Sequence, residues 1–272
     1  MKYLILFLCF SLAGLNIQAQ TVCKGVLRDS TTNEPIEFAN VGIIGKGIGT
    51  VTNEKGEYNF TLPDSLLKEW IKVSMLGYKA RTFAASGFQK QSEVKLSQNA
   101  TQLNEAVVSV KKTKVKIAGN NTRSKSVSAG FKNNSLGAEI GVKLSVKHRE
   151  THIRKVMINI NTNTLDTFPV FRLNIYKEDA KGLPGENILT QNILIIPKEK
   201  TGFIEFDLTP YSIFVKEDVF VSIEWIKDLG DAKGLYFSTK LVGSATYFRQ
   251  TSQDKWSKMS PIGVGLHAEV AY

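Results

Sequence analysis

Residues 25–78 read GVLRDSTTNEPIEFANVGIIGKGIGTVTNEKGEYNFTLPDSLLKEWIKVSMLGY, a run of short segments separated by turn-forming residues. Gly, Pro, Asn, Asp and Ser cluster between the apolar segments, which indicates strands joined by turns. Tyr58, Phe60 and Leu62 alternate with polar residues, so we expect them to share one buried strand face. The pattern predicts a small β-sandwich, with one short helical turn after Pro63.

Three closely spaced glycines, Gly45, Gly47 and Gly49, superficially resemble a phosphate-binding loop. Such a loop opens a helix, whose first N–H groups then point at the anion. Here the glycines lead into a predicted hairpin instead. We therefore interpret them as turn residues that permit positive φ angles.

Four ordered motifs carry a resemblance to a known family. They are G-V-L-R-D at 25–29, E-P-I-E-F-A-N-V at 34–41, G-T-V-T-N-E-K-G-E-Y at 49–58 and V-S-M-L-G-Y at 73–78. Together they resemble the carboxypeptidase-regulatory-like domain, a small transthyretin-like β-sandwich. In that family these positions form turns and core, so the resemblance implies no peptidase activity.

The next segment, L-N-E-A-V-V-S-V at 103–110, resembles the one that follows this domain in TonB-dependent outer-membrane receptors of Gram-negative bacteria. Those receptors continue into a plug and a large barrel, whereas 162 residues, 111–272, remain here. The strands and aromatic girdles of a membrane barrel are not evident in them. The resemblance implies a bacterial envelope protein built on the receptor's N-terminal module without plug and barrel.

The first 19 residues, MKYLILFLCFSLAGLNIQA, join a lysine at position 2 to an almost wholly apolar run. This pattern is typical of a secretory signal peptide, with cleavage expected after Ala19. A transmembrane anchor is the alternative, but the run is shorter than the roughly 20 residues that span a bilayer. We therefore expect export to the periplasm, the outer membrane or the cell surface, with no transmembrane helix after cleavage. Cys23 is then alone and is expected to be a small core residue.

The formal net charge of +10 suggests an anionic partner, but much of the charge is local. Residues 106–138 contain seven Lys or Arg and no acid, and 111–129 are rich in Lys, Ser, Thr and Asn. This composition predicts an interdomain linker at 111–129. Contact with an anionic envelope polymer is the alternative; we favour a solvated linker because aromatic residues are absent there. Nucleic acid is not an expected partner.

Strand-like alternation returns from Gly130 onward, without a long helix. The predicted organisation is all-β: a β-sandwich at 20–110, the linker at 111–129, and a larger, jelly-roll-like β-sandwich at 130–272. Segments such as F-R-L-N-I-Y and V-F-V-S-I-E-W-I resemble a C-terminal β-domain of bacterial envelope proteins with no established activity. Arg172 and Glu224 lie opposite the apolar stripes of their strands, which predicts a cross-strand ion pair if the strands are neighbours.

Residue types that carry chemistry occur without the required context. His148 and His152 flank Glu150, but a zinc-protease motif needs a different Glu position and a helix, and His267 is isolated. Glu205 and Asp207 share a strand face, which favours a solvated sheet surface over a glycosidase acid pair. We therefore predict no catalytic residue, cofactor or metal site.

Tyr247, Arg249 and Trp256 are the candidate ligand-binding residues, since exposed aromatics on jelly-roll loops often stack on sugars. Packing at the edge of the core is the alternative, and we favour it. The sequence thus predicts a non-catalytic, exported envelope protein with a binding or structural role. Its partner would be an envelope protein or a glycan. A carbohydrate-binding surface protein is the second hypothesis, and a glycosidase or metallohydrolase is the third.

Overall fold

The computed structural model describes residues 20–99, 114–131, 135–146, 150–230 and 234–272. The predicted signal peptide, the receptor-like segment at 103–110 and His148 lie outside these residues. The described chain forms an N-terminal unit, 20–99, and a C-terminal unit, 114–272, each with its own hydrophobic core. Among the described helices, none is long and apolar enough to cross a membrane.

The N-terminal unit consists of two small sheets that share one core. One sheet has the order β4-β1-β7, with β1 and β7 parallel, and the other has the antiparallel order β3-β2-β5-β6. The elements are β1 (Gln20–Asp29), β2 (Asn40–Ile43), β3 (Gly49–Val51), β4 (Glu57–Pro63), a 3-10 turn (Asp64–Leu66), β5 (Trp70–Ser74), β6 (Arg81–Ala84), α1 (Ala85–Phe88) and β7 (Glu93–Leu96).

Strict alternation on β4 produces the N-terminal core. Tyr58, Phe60 and Leu62 are buried while their neighbours are exposed, as the sequence predicts. Phe88 of α1 packs against these rings, with its centroid 5.6 Å from that of Tyr58. Burying one such ring contributes about 1.5–3 kcal/mol. Cys23 is fully buried in the same core, as expected for a small apolar residue.

The C-terminal unit is a larger pair of sheets. Its elements are β8 (Val115–Gly119), β9 (Ser128–Phe131), β10 (Glu139–Leu144), β11 (Thr151–Asn163), β12 (Phe171–Glu178), β13 (Pro184–Asn187), β14 (Ile193–Ile195), β15 (Gly202–Asp207), a 3-10 turn (Thr209–Tyr211), β16 (Phe214–Val215), β17 (Val219–Trp225), β18 (Leu235–Lys240), β19 (Thr246–Arg249), β20 (Ser257–Met259), β21 (Gly263–Val264) and β22 (Leu266–Ala271).

Two sheets enclose the C-terminal core. The first has the order β13-β12-β17-β10-β19-β20, with β14 also paired to β12. The second has the order β21-β18-β11-β22-β8, and β15 and β16 extend it along β11 while β9 pairs with β18. Trp225 and Phe131 meet edge to face between the sheets, 5.3 Å apart. The predicted all-β architecture of a small and a larger sandwich is therefore confirmed.

The structure differs from the sequence prediction in the basic segment 111–129. Its residues Val115–Gly119 form β8, which pairs along its whole length with residues 267–271 of β22. Val115 and Ile117 are exposed because β8 is the edge strand of its sheet. The segment therefore shows no clear alternation of buried and exposed residues from which the strand could be predicted. The sheet of the C-terminal unit therefore begins inside the predicted linker.

Strand β17 is buried on both faces. Val221 and Ile223 face the core, as expected, but the opposite face, with Ser222 and Glu224, is equally inaccessible to solvent. A sheet face that carries polar residues is normally wet, so a second layer must cover this one. The N-terminal unit forms part of that layer.

Candidate functional site

Four charged residues form one row across the outer face of the first C-terminal sheet. Arg172 on β12 pairs in register with Glu224 on β17, which pairs with Glu139 on β10, which pairs with Arg249 on β19. We call these four residues the charge row. The two carboxylates are direct neighbours and fully buried, an arrangement that costs free energy unless each is compensated.

Each carboxylate of the charge row is matched to one guanidinium. Arg172 donates from Nε and Nη2 to Oε2 of Glu224 at 2.9 and 2.8 Å, which confirms the predicted ion pair. Arg249 donates from Nε to Oε2 of Glu139 at 2.7 Å. Asn174 bridges the two pairs, because its amide nitrogen lies 2.9 Å from an oxygen of each carboxylate.

Uncharged hydrogen-bond donors also contact the Glu139 carboxylate. The hydroxyls of Tyr176 and Ser222 both donate to its Oε1. Burial, together with the adjacent Glu139 charge, raises the pKa of Tyr176 well above its usual range, so its hydroxyl remains a proton donor. Although burial alone would lower the pKa of Arg249, the Glu139 carboxylate raises it, and the guanidinium stays ionised.

Arg172 also joins the two units. Its Nη1 donates to the backbone carbonyl of Phe38, and its Nη2 donates to Oδ1 of Asn40 at 3.0 Å. Both acceptors belong to the N-terminal unit. Only 2% of the Arg172 side chain is exposed, so its charge depends on partners from both units.

A loop of the C-terminal unit, residues 251–254, lies on the β2–β3 hairpin of the N-terminal unit. Ser252 donates from Oγ to Oδ1 of Asn40 at 2.8 Å, and the Gln253 carbonyl accepts from the Gly45 amide at 2.9 Å. A Cβ at Gly42 would overlap the Ser252 carbonyl oxygen, and one at Gly49 would lie 2.6 Å from it. Of the three glycines that resemble a phosphate loop in the sequence, Gly49 thus permits close approach of the second unit, whereas Gly45 and Gly47 adopt the positive φ expected of turn residues.

Apolar residues and an ion pair extend the same interface. Phe38 and Val51 of the N-terminal unit form a buried cluster with Ile226 of the C-terminal unit. At its rim, Lys227 lies 2.8 Å from Glu54. This interface has a desolvated centre and a polar rim, as stable protein interfaces do, and it holds the two units in one orientation.

Beside this interface lies an open cleft with a volume of about 1210 Å³. Its N-terminal wall is the turn at 75–78 together with Asn99, and its C-terminal wall is formed mainly by 186–191 and 211–219. We call it the inter-unit cleft. The two walls approach each other at Gly77 and Thr190, where a Cβ added to Gly77 would lie 3.7 Å from the Thr190 carbonyl oxygen. Clefts between domains are the usual position of ligand sites.

Residues 23–108 match the family model of the CarboxypepD_reg-like domain. The carboxypeptidase-regulatory-like resemblance of the sequence is thereby confirmed for the N-terminal unit. This domain is a regulatory or binding-type fold that is not catalytic. None of the curated proteins matches the chain.

Similarity to solved structures is weak. A chain of infectious bursal disease virus, Gx strain, aligns with 93% of this chain and 63% of its own length at 10% identity and a TM-score of 0.30. The VP2 subviral particle of that virus aligns with 93% of this chain and 62% of its own length, at 10% identity and a TM-score of 0.30. The chain thus spans under two thirds of these viral chains. A two-domain protein with unknown function from Bacteroides fragilis aligns over 97% of this chain and 98% of its own, at 10% identity and a TM-score of 0.20.

The three predicted ligand-binding residues lie close together, but each of them already contacts other side chains of the protein. Arg249 is held by Glu139, and the Trp256 ring covers it with the guanidinium carbon 5.2 Å from the ring centroid. Tyr247 is buried against Phe220, with centroids 4.7 Å apart. The structure therefore places these three residues at the Arg249 end of the charge row, where the half-exposed Trp256 ring forms a lid.

The remaining candidates for chemistry lie apart. His152 stacks on Phe214, with centroids 4.6 Å apart, whereas His267 pairs with Met157 further along β11. Burial lowers the pKa of both imidazoles. Glu205 pairs with Lys155 at 2.6 Å on the exposed sheet face that the alternation predicts. Among the described residues, no group of three or more His, Cys, Asp or Glu is placed to hold a metal ion.

Proposed function

We propose that this chain is an exported, non-catalytic binding protein of the Gram-negative cell envelope, whose ligand lies in the inter-unit cleft. The observation that carries the proposal is the interface at Arg172, which fixes both cleft walls relative to one another. A preformed site avoids the ordering cost that flexible domains pay on binding. The CarboxypepD_reg-like domain supports the binding role, since it is a regulatory or binding-type fold.

Export rests on the predicted signal peptide. We expect the protein recovered from the envelope fraction of a Gram-negative host to begin at Gln20. N-terminal sequencing measures this directly. A protein that keeps Met1 and stays in the cytoplasm would contradict the export part of the proposal and leave the cleft untouched.

A bulky substitution in its wall tests whether the inter-unit cleft holds the ligand. Thr190 is exposed on its wall, so Thr190→Trp narrows the cleft without disturbing a core. Thr82, exposed on β6 outside the cleft, gives the matched control Thr82→Trp. Residues 20–272 would be screened on arrays of oligosaccharides and peptides, and bound probes recovered for mass spectrometry.

We expect probes retained by the wild type and by Thr82→Trp to be lost with Thr190→Trp, and to be recovered chemically unchanged. Equal binding by the two tryptophan variants would place the ligand elsewhere. Probes recovered in cleaved form would overturn the non-catalytic assignment.

A further inference from the structure

We infer that the inter-unit cleft binds a neutral oligosaccharide. This inference rests on the proposed function, because it takes the cleft as the binding site and assigns a ligand class to it. Four properties of the cleft walls support it: size, charge, aromatic rings and free polar groups.

The size of the cleft favours a ligand of several linked rings. Its volume of about 1210 Å³ exceeds the roughly 300–1,000 Å³ that is usual for small-molecule pockets. It is also open along one side, because exposed residues such as Asn99, Gln191 and Lys216 form its rim. An open groove of this size suits a segment of a chain better than one enclosed molecule.

The charge of the cleft walls favours a neutral ligand. Two lysines and three carboxylates line it, which gives a net charge of −1, whereas the whole chain carries +10. Two of the carboxylates are already paired: Glu186 with Lys177 at 3.3 Å, and Asp218 with Lys143 at 3.4 Å. Each of these pairs is net neutral and therefore attracts a charged ligand only weakly. A polyanion would therefore gain more from the basic surface outside the cleft.

Three aromatic rings are held on the cleft walls. Tyr78, Tyr211 and Phe214 are all half-buried lining residues. The Tyr78 hydroxyl donates to Asp29 at 3.0 Å, and Phe214 stacks on His152. Fixed rings lose little entropy on binding and present flat apolar faces, against which the C–H faces of sugar rings can pack.

Polar groups suited to sugar hydroxyls lie between these rings. Asn99, Thr190, Gln191 and Ser212 are exposed, and their side chains make no hydrogen bond within the described chain. Ser212 adopts a left-handed backbone with φ of 47°, directly after the 3-10 turn that presents Tyr211. Such a conformation is unfavourable for a non-glycine residue and is found preferentially at functional sites.

The same cleft walls suit an extended peptide less well than an oligosaccharide. Extended peptides bind by adding to a long unpaired strand edge, where main-chain hydrogen bonds provide affinity. The walls consist mostly of turns, and β16, the strand that lies wholly within them, has two residues. Side chains, not backbone edges, therefore offer most of the contacts.

The test uses residues 20–272 and three probe sets: neutral oligosaccharides of four or more sugars, uronate-containing or sulfated oligosaccharides, and extended decapeptides. The variants are Tyr211→Ala, Thr190→Trp and Trp256→Ala. Trp70→Ala is the matched control, because Trp70 is 57% exposed on the N-terminal unit outside the cleft. Thermal unfolding checks that each variant is folded.

We expect at least one neutral oligosaccharide to bind, with affinity reduced about tenfold or more by Tyr211→Ala and unchanged by Trp70→Ala. Preference for acidic sugars or peptides, lost with Thr190→Trp, would overturn the ligand class and leave the proposed function standing. Neutral-sugar binding that Trp256→Ala removes and Tyr211→Ala does not would move the site to the sequence-predicted residues. Absence of binding to all three probe sets would overturn both proposals.

Discussion

The two ends of the charge row use the same chemistry in different surroundings. Arg172–Glu224 and Arg249–Glu139 are both guanidinium–carboxylate pairs between neighbouring strands of one sheet. The N-terminal unit covers the Arg172–Glu224 pair, whereas the Trp256 ring covers the Arg249–Glu139 pair. Exposure of the arginine side chain is accordingly 2% at the first end and 11% at the second.

This difference shows what the N-terminal unit contributes to the C-terminal one. An ion pair taken out of water stabilises a protein only if its remaining hydrogen-bonding groups find partners. At Arg172 those partners are the Phe38 carbonyl and Asn40, which a separated C-terminal unit would lack. The two units are therefore expected to fold and open as one.

The largest effect is expected from Arg172→Ala. This change leaves the Glu224 carboxylate buried without its counter-ion and removes a contact between the units, so we expect the free energy of unfolding to fall by about 3–5 kcal/mol. Urea denaturation measures the loss. Lys177→Ala, on the same strand but in an exposed pair with Glu186, should cost under about 1 kcal/mol. Equal losses in the two variants would contradict the role given to Arg172.

A smaller effect is expected from Arg249→Ala at the other end. Tyr176, Ser222 and Asn174 still donate to Glu139, and water can reach the site from which the guanidinium is removed. We expect a loss of about 1.5–3 kcal/mol by the same denaturation experiment. A larger loss than that of Arg172→Ala would show that closure by the N-terminal unit adds nothing to the first pair.

Gly42→Ala tests the closure itself without changing a charge. The added methyl group overlaps the Ser252 carbonyl oxygen, so the 251–254 loop must move away from the hairpin. Such overpacking typically costs about 1–3 kcal/mol. Gly87→Ala is the control, because a Cβ there meets no atom within 4 Å and alanine favours its helix. Hydrogen exchange at 251–254 should increase in the first variant and stay unchanged in the second.

The smallest effect is expected at Asp29, whose carboxylate accepts hydrogen bonds from uncharged donors. The amides of Thr31 and Thr32, with Gln98, lower the pKa of Asp29 from 3.8 to about 2. Because the folded pKa lies below the unfolded one, this stabilisation is present above pH 4 and is lost as the pH falls toward 2. We expect the free energy of unfolding to decline over that window, and to decline less in Asp29→Asn. An identical pH profile for the variant would exclude this contribution.

Local pattern was sufficient to predict the strands and one ion pair. Alternation places Tyr58, Phe60 and Leu62 on one face, and it places Arg172 and Glu224 opposite their apolar stripes. Both predictions depend on neighbours within a strand or on the next strand. The turn at Asp64–Leu66 was predictable for the same reason, since Pro63 precedes it.

The interface and the cleft were not predictable in this way. Arg172 and Phe38 are separated by 134 residues, and Ser252 and Asn40 by 212, so their contact depends on how two complete units dock. One signal was available: the second face of β17 carries the large apolar Phe220, and Ile226 follows just beyond the strand, which indicates that something covers this face despite Ser222 and Glu224. Glu139 gave no such signal, because a single acid at a strand start is common at surfaces.

The most direct test of the coupling between the units uses Cys23, which is the one cysteine in residues 20–272 and is fully buried in the N-terminal core. Because the Cys23 side chain is inaccessible, and burial also raises the pKa of its thiol, labelling by a thiol reagent requires opening of that unit. Arg172 lies in the other unit. We predict that Arg172→Ala accelerates Cys23 labelling about tenfold or more, while Lys177→Ala leaves the rate unchanged. A labelling rate for Arg172→Ala equal to that of the wild type would show that the two units open independently and would contradict the account.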